Sequence, residues 1–187
     1  MVYASSAAVF GSDSDYDNCS AGDESTPKPS THYGAYKLCM EHSANAYFVS
    51  DKISSIGLRP LTVYGPGRDF GMTSAPTKAI LSMIHQVPYD IPFIGSTVFI
   101  HALEIADIFV HAAVKHVEGA HVYTIGGDSL DVKEFMSVAA TVLKEDPSTT
   151  TDPSSYITFS GTVLPIVSKI DDKALRAAYP EIKKLSI

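Results

Sequence analysis

Short apolar runs that end in Gly or Pro alternate along this chain with segments whose apolar residues recur at helical spacing. Residues 2–6 read as a buried strand bounded by Gly11. Residues 33–51 read as a helix carrying Ala35, Leu38, Cys39, Ala46 and Val49 at roughly helical intervals. Residues 56–64 read as a strand stopped by Pro66 and Gly67, 76–86 as a helix with Pro76 early in it, and 91–101 as extended chain. Residues 104–117 read as an apolar helix with Ala106, Phe109, Val110 and Ala113 as its core stripe. Residues 122–125 form a strand ending in Gly126-Gly127, and 132–144 a helix stopping before Pro147. A Ser/Thr/Asp/Pro linker at 146–155, a strand at 156–159 and a short helix at 171–179 closed by Pro180 follow. Strands alternating with helices place the chain in the α/β class with a mostly parallel sheet.

Composition narrows the function classes. The chain has 187 residues and a net charge of −7, and its arginines are Arg59, Arg68 and Arg176. Nucleic acid and anionic membranes reward Lys/Arg patches, so neither is expected as a partner. No apolar run approaches the ~20 residues that span a bilayer, and the N-terminus lacks the pattern of a signal peptide. Cys19 and Cys39 have no metal or redox spacing, which suits a reducing, cytoplasmic setting. No metal is expected. His111 and His116 fall on different helix faces, and Asp13, Asp15, Asp17 and Glu24 resemble a calcium loop without its turn glycine. The stretch 11–32 is long enough for a functional or mobile loop.

Chemistry gathers near the N-terminus. Tyr33 and Lys37 in Tyr33-Gly34-Ala35-Tyr36-Lys37 lie four apart, one turn along a common helix face. A tyrosine that exchanges a proton near neutrality must drop about three pH units from its ordinary ~10, or ~4 kcal/mol. A lysine about 5 Å away, at an effective dielectric near 20, supplies roughly 3 kcal/mol of that. Tyr179 and Lys183 repeat the spacing, but Pro180 interrupts any helix between them. Ser6, at the end of the first strand, sits where α/β sheets bind ligands and is placed to hydrogen-bond the oxygen that a tyrosine deprotonates.

Val2-Tyr3-Ala4-Ser5-Ser6-Ala7-Ala8-Val9-Phe10-Gly11, then Tyr33-Gly34-Ala35-Tyr36-Lys37 with Glu41, then Leu58-Arg59-Pro60-Leu61-Thr62-Val63-Tyr64-Gly65-Pro66-Gly67-Arg68, stand in fixed order. Together they resemble the extended short-chain dehydrogenases of the NAD-dependent epimerase/dehydratase type over residues 2–145. The resemblance implies a partial Rossmann-like, doubly wound parallel sheet (residues 1–70) with a small C-terminal substrate-binding lobe (71–187) interleaved with a returning strand. It implies NAD or NADP as cofactor, a sugar-type substrate, and hydride transfer at a sugar carbon. Ser6, Tyr33 and Lys37 would be catalytic, and Lys37 would also hold the ribose. Tyr33, Pro60 and Val63 would lie near the nicotinamide, whose positive charge would further favour the Tyr33 anion. Ser6, Thr62, Arg68 and Lys78 would face the substrate. A homodimer through the helix beginning at Tyr33 is also implied, and His101 would take a structural or near-pocket place.

The departures also carry expectations. Dehydratase members have Asp-Glu where this chain has Ala7-Ala8, which disfavours elimination. Ser96 and Thr97 stand where nucleotide-sugar enzymes place a phosphate-binding Arg; this points away from UDP- or GDP-sugars, with Arg68 or Lys78 as substitute contacts. Relatives begin with a strand, a Gly-rich turn and a helix that holds the pyrophosphate. That front half, roughly a hundred residues, is expected to be missing before Met1, since the family fold starts with it. Pro66 makes the Gly65–Gly71 loop a poor substitute. Two rivals follow: a non-catalytic fragment that binds no cofactor, and a half-enzyme that needs a partner chain.

Overall fold

The computed structural model describes residues 1–146 and 151–185. In chain order the elements are β1 (Val2–Ala4), β2 (Ser20–Ala21), α1 (His32–Asp51), β3 (Ser55–Arg59), β4 (Thr62–Tyr64), α2 (Ala75–His85), β5 (Tyr89–Ile94) and β6 (Ser96–His101). Then come α3 (Ala102–Val114), β7 (Ala120–Thr124), β8 (Asp128–Asp131), α4 (Val132–Lys144), β9 (Ile157–Val163), β10 (Lys169–Ile170) and α5 (Lys173–Ala178).

The sheet that positions the site is parallel, in the order β1-β3-β7. Its central strand β3 is buried along its whole length, as a strand covered on both faces is, while β1 and β7 are mostly half-buried. Val2, Ile56 and Leu58 join the core with Ile108 and Ala112 of α3. Alternate residues point to the other face, where Tyr3 lies beside Ala44 of α1. A β-carbon on Gly57 would lie 2.6 Å from the Tyr3 ring, so only glycine lets that ring cross β3. A second core, around Phe93, Phe99, Met83 and Phe135, joins α2 and α4 to a mixed sheet β4-β6-β8 and to the parallel pair β5-β9. Phe99 and Phe135 stack there at 4.0 Å.

Several expectations need correction. The strand expected at 56–64 is two strands in different sheets, because Pro60 has no N–H for a ladder. The extended stretch 91–101 likewise divides at Gly95, which has φ 86°. The first strand ends at Ala4, and residues 7–9 form a 3-10 turn. In α3 the buried residues are Glu104, Ile108 and Ala112. Of the stripe expected at Ala106, Phe109, Val110 and Ala113, only Phe109 packs against the core, half-buried, and the other three are exposed. In α1 only Gly34, Glu41 and Ala44 are buried; Ala35, Cys39, Ala46 and Val49 face outward. The linker expected at 146–155 partly lies outside the described residues, and 153–156 form a 3-10 turn.

The stretch 11–32 is pinned along its length. Asp13 Oδ1 accepts the Ser168 N–H at 2.6 Å, and Asp23 Oδ1 accepts the Thr124 N–H at 2.6 Å. Ser30 Oγ donates to the Pro165 carbonyl at 2.8 Å, and β2 pairs with β10. The segment leading into Tyr33 is therefore fixed by the C-terminal part of the chain.

Candidate active site

β1 ends at the carboxyl edge of the parallel sheet, and the chain continues extended through Ser6 into the 3-10 turn at residues 7–9. Ser6 caps that turn: its Oγ accepts the Ala8 N–H at 3.1 Å. The hydroxyl proton of Ser6 remains available for donation. The Ala7 N–H donates to the Pro60 carbonyl at 2.9 Å, which ties this turn to the end of β3.

The first turn of α1 approaches the same segment. Thr31 caps the helix by accepting the Gly34 N–H at 3.1 Å. Gly34 sits against the Ala8 carbonyl, leaving no room for a side chain. One turn on, Lys37 Nζ donates to the Ala4 carbonyl at 2.6 Å and lies 5.6 Å from the centre of the Tyr33 ring. Tyr33 is 56% exposed, so its phenol is open to a bound molecule. Another turn on, the Glu41 carboxylate is buried. It accepts the Ser5 hydroxyl and both Nε (2.7 Å) and Nη2 (2.6 Å) of Arg59, whose guanidinium lies 5.1 Å from the Phe10 ring centre. Tyr3, beside this pair, has its hydroxyl pushed up to about 12, first by burial and then by the Glu41 charge, with Arg59 opposing.

The structure thus brings Ser6, Tyr33, Lys37 and Pro60 to one end of one sheet. Val63, half-buried in β4, follows Pro60 by three residues. Thr62 is placed differently. It is 0% exposed, and its hydroxyl pairs with that of Thr97 at 2.9 Å, inside the wall between β4 and β6. Arg68 braces its own loop, donating to the Phe70 carbonyl at 2.7 Å and to Thr73 Oγ1 at 3.0 Å. Lys78 lies half-buried in the first turn of α2. His101 caps α3 by accepting the Leu103 N–H at 3.3 Å, and it packs edge-on to Tyr64. Tyr179 is buried at the end of α5, and no helix continues to Lys183. Sequence reasoning passed over Ser5, and it read Glu41 and Arg59 only as parts of a pattern. The signal that marks Glu41 is its place eight residues after Tyr33, on the face that also carries Lys37.

Fold and site together define a Rossmann-type α/β protein with a Ser/Tyr/Lys set at the carboxyl ends of its parallel strands. The chain belongs to the NAD dependent epimerase/dehydratase family, which it matches over residues 1–126. That match runs from residue 1 and lends no support to the expected absence of a front half. The chain is 27% identical over 126 residues to dTDP-L-rhamnose 4-epimerase of Burkholderia thailandensis, covering 65% of this chain and 35% of that protein. Among solved structures it is similar to MoeE5 in complex with UDP-glucuronic acid and NAD: TM-score 0.79, 23% identity, covering 100% of this chain and 60% of that one. It is also similar to a partial consensus L-threonine 3-dehydrogenase: TM-score 0.81, 16% identity, covering 100% of this chain and 60% of that one. At such identities the likeness shows the fold. The chain spans about a third of the length of the curated relative it matches. Among the described residues no helix is long and apolar enough to cross a membrane.

Proposed function

We propose that this chain carries the proton-transfer site of an NAD(P)-dependent sugar epimerase or dehydrogenase, working in the cytoplasm. The observation that carries the reading is the Lys37–Ala4 bond. It draws the lysine, and with it the tyrosine one turn before, to within two residues of Ser6 at the ligand-binding edge of the sheet. The residues fit the nicotinamide-ribose end of the cofactor. An ammonium stands beside an open phenol, and the Pro60 carbonyl holds the Ala7 N–H next to Ser6.

In this reading Ser6 donates its free proton to the reacting hydroxyl oxygen and holds it against Tyr33. The Tyr33 phenolate takes the hydroxyl proton and later returns it. Lys37 keeps its charge near the phenolate and binds the ribose hydroxyls. The chemistry that the nicotinamide supplies when bound is acceptance and return of a hydride. Ala7 and Ala8 are buried and have no group for acid/base elimination, which favours epimerisation or oxidation over dehydration. The second core forms the substrate-binding lobe. The exposed Tyr36, Met40 and Tyr47 of α1 form a homodimer face.

A second reading, a half-enzyme that works with a partner chain, is favoured by β1, which pairs only with β3 among the described residues. Titration of NADH fluorescence discriminates between them. Saturable binding by the chain alone, weakened by Lys37→Met, supports the first reading. No binding until a dinucleotide-binding segment is added in trans supports the second. No binding in either case removes both.

A further inference from the structure

We propose that Glu41 and Arg59 are positioning residues of the site and act on it through Ser5; the proposal rests on the roles given above to Ser6, Tyr33 and Lys37. The Glu41 and Arg59 side chains are each only 6% exposed, and their contact is bidentate. Burying such a pair costs desolvation that its attraction scarcely repays, so a well-packed apolar pair would serve stability as well. What an apolar pair cannot do is hold a hydroxyl in a fixed direction, and Glu41 also accepts the Ser5 hydroxyl.

Ser5 and Ser6 are neighbours in extended chain, where successive side chains point to opposite sides. Fixing Ser5 against Glu41 therefore aims Ser6 the other way, where its Oγ, in a residue 8% exposed, accepts the Ala8 N–H. The peptide unit between Ala4 and Ser5 is fixed at the same time, and its carbonyl is the one that takes Lys37. Arg59 anchors the far side: it ends β3, and the next carbonyl, of Pro60, holds the Ala7 N–H. One ion pair thus sets three directions: the Ser6 hydroxyl, the carbonyl under Lys37, and the helix turn that carries Tyr33. Geometry of this kind must hold within a few tenths of an ångström for efficient proton transfer.

The test uses the chain itself, with amide hydrogen exchange read by NMR at Ala7 and Ala8 and, for comparison, through α4. Ser5→Ala removes one hydroxyl and leaves the ion pair whole, so it tests the proposal even if Glu41→Gln fails to fold. The expected result is exchange about 10- to 100-fold faster at Ala7 and Ala8, with α4 unchanged. Ser5→Thr, which keeps the hydroxyl, should restore protection. Wherever turnover is measurable, Ser5→Ala should lower kcat about tenfold with KM for the nicotinamide within about twofold. Unchanged exchange at Ala7 and Ala8, or equal acceleration everywhere, overturns the proposal. Selective acceleration in a chain that never binds nicotinamide would keep the positioning role and discard the functional reading instead.

Discussion

Gly34 lies so close to the Ala8 carbonyl that a β-carbon on it would stand 1.9 Å from that oxygen. This approach seats the first turn of α1 on the turn that follows Ser6, and it is possible only for glycine. Gly34→Ala should therefore reverse the usual preference. Alanine in an open helix gains up to about 1 kcal/mol over glycine, whereas here overpacking should cost about 1–3 kcal/mol. Urea unfolding checks the sign, and a stabilised variant would show that α1 does not sit this close.

Removing one partner of the buried pair should be costly. Glu41→Ala leaves the Arg59 charge buried and unpaired, and a loss of about 3–5 kcal/mol is expected. Glu41→Gln, which keeps an acceptor for Ser5, should lose less. Equilibrium unfolding of the two variants side by side measures the difference; equal losses would show that the hydrogen-bonding shape contributes nothing.

Tyr3 gives a pH signature. Its hydroxyl rises from the ordinary 10 to about 12 in the fold, so the folded chain holds this proton where the unfolded chain releases it. The contribution of Tyr3 to stability is complete below pH 10 and is lost as pH rises toward about 12. Alkaline unfolding of Tyr3→Phe, compared with the wild type, should show a shallower fall across that window. Superimposable curves would remove Tyr3 as its cause.

Among the described residues β1 is an edge strand paired only with β3; its Tyr3 lies beside the exposed Tyr36 and Met40 of α1, and Tyr47 is exposed on the same helix. Self-association is the expected behaviour. Light scattering should show a dimer or larger species, and Tyr36→Lys with Tyr47→Lys should shift it toward monomer. A monodisperse monomer in the wild type would contradict this.

The proximity of Lys37 to Tyr33 was legible in the sequence because it is local, an i, i+4 pair on one helix, and with Ser6 these residues make up the proposed site. The α/β class was legible from strands alternating with helices. The inner face of α1 was not, because hydropathy seeks apolar residues and this helix buries a glycine, a glutamate and an alanine while Val49 and Cys39 face out. The junction of β3 with β4 was hidden because one apolar run serves two sheets, and only the missing N–H of Pro60 marks the break. The two-residue pairing of β2 with β10 joins positions 149 apart in register, Ser20 with Lys169, and no local pattern announces it. Thr62 was expected to meet substrate because of its place in a pattern, whereas its partner Thr97 lies on a strand that the sequence showed only as extended chain.

The most direct test of the central claim is steady-state turnover of Tyr33→Phe beside the wild type, with nicotinamide reduction followed by absorbance and cofactor affinity measured separately. If Tyr33 moves the substrate proton, turnover should fall by about 100- to 10,000-fold while cofactor affinity stays within a few-fold. Near-normal turnover in Tyr33→Phe would contradict the account.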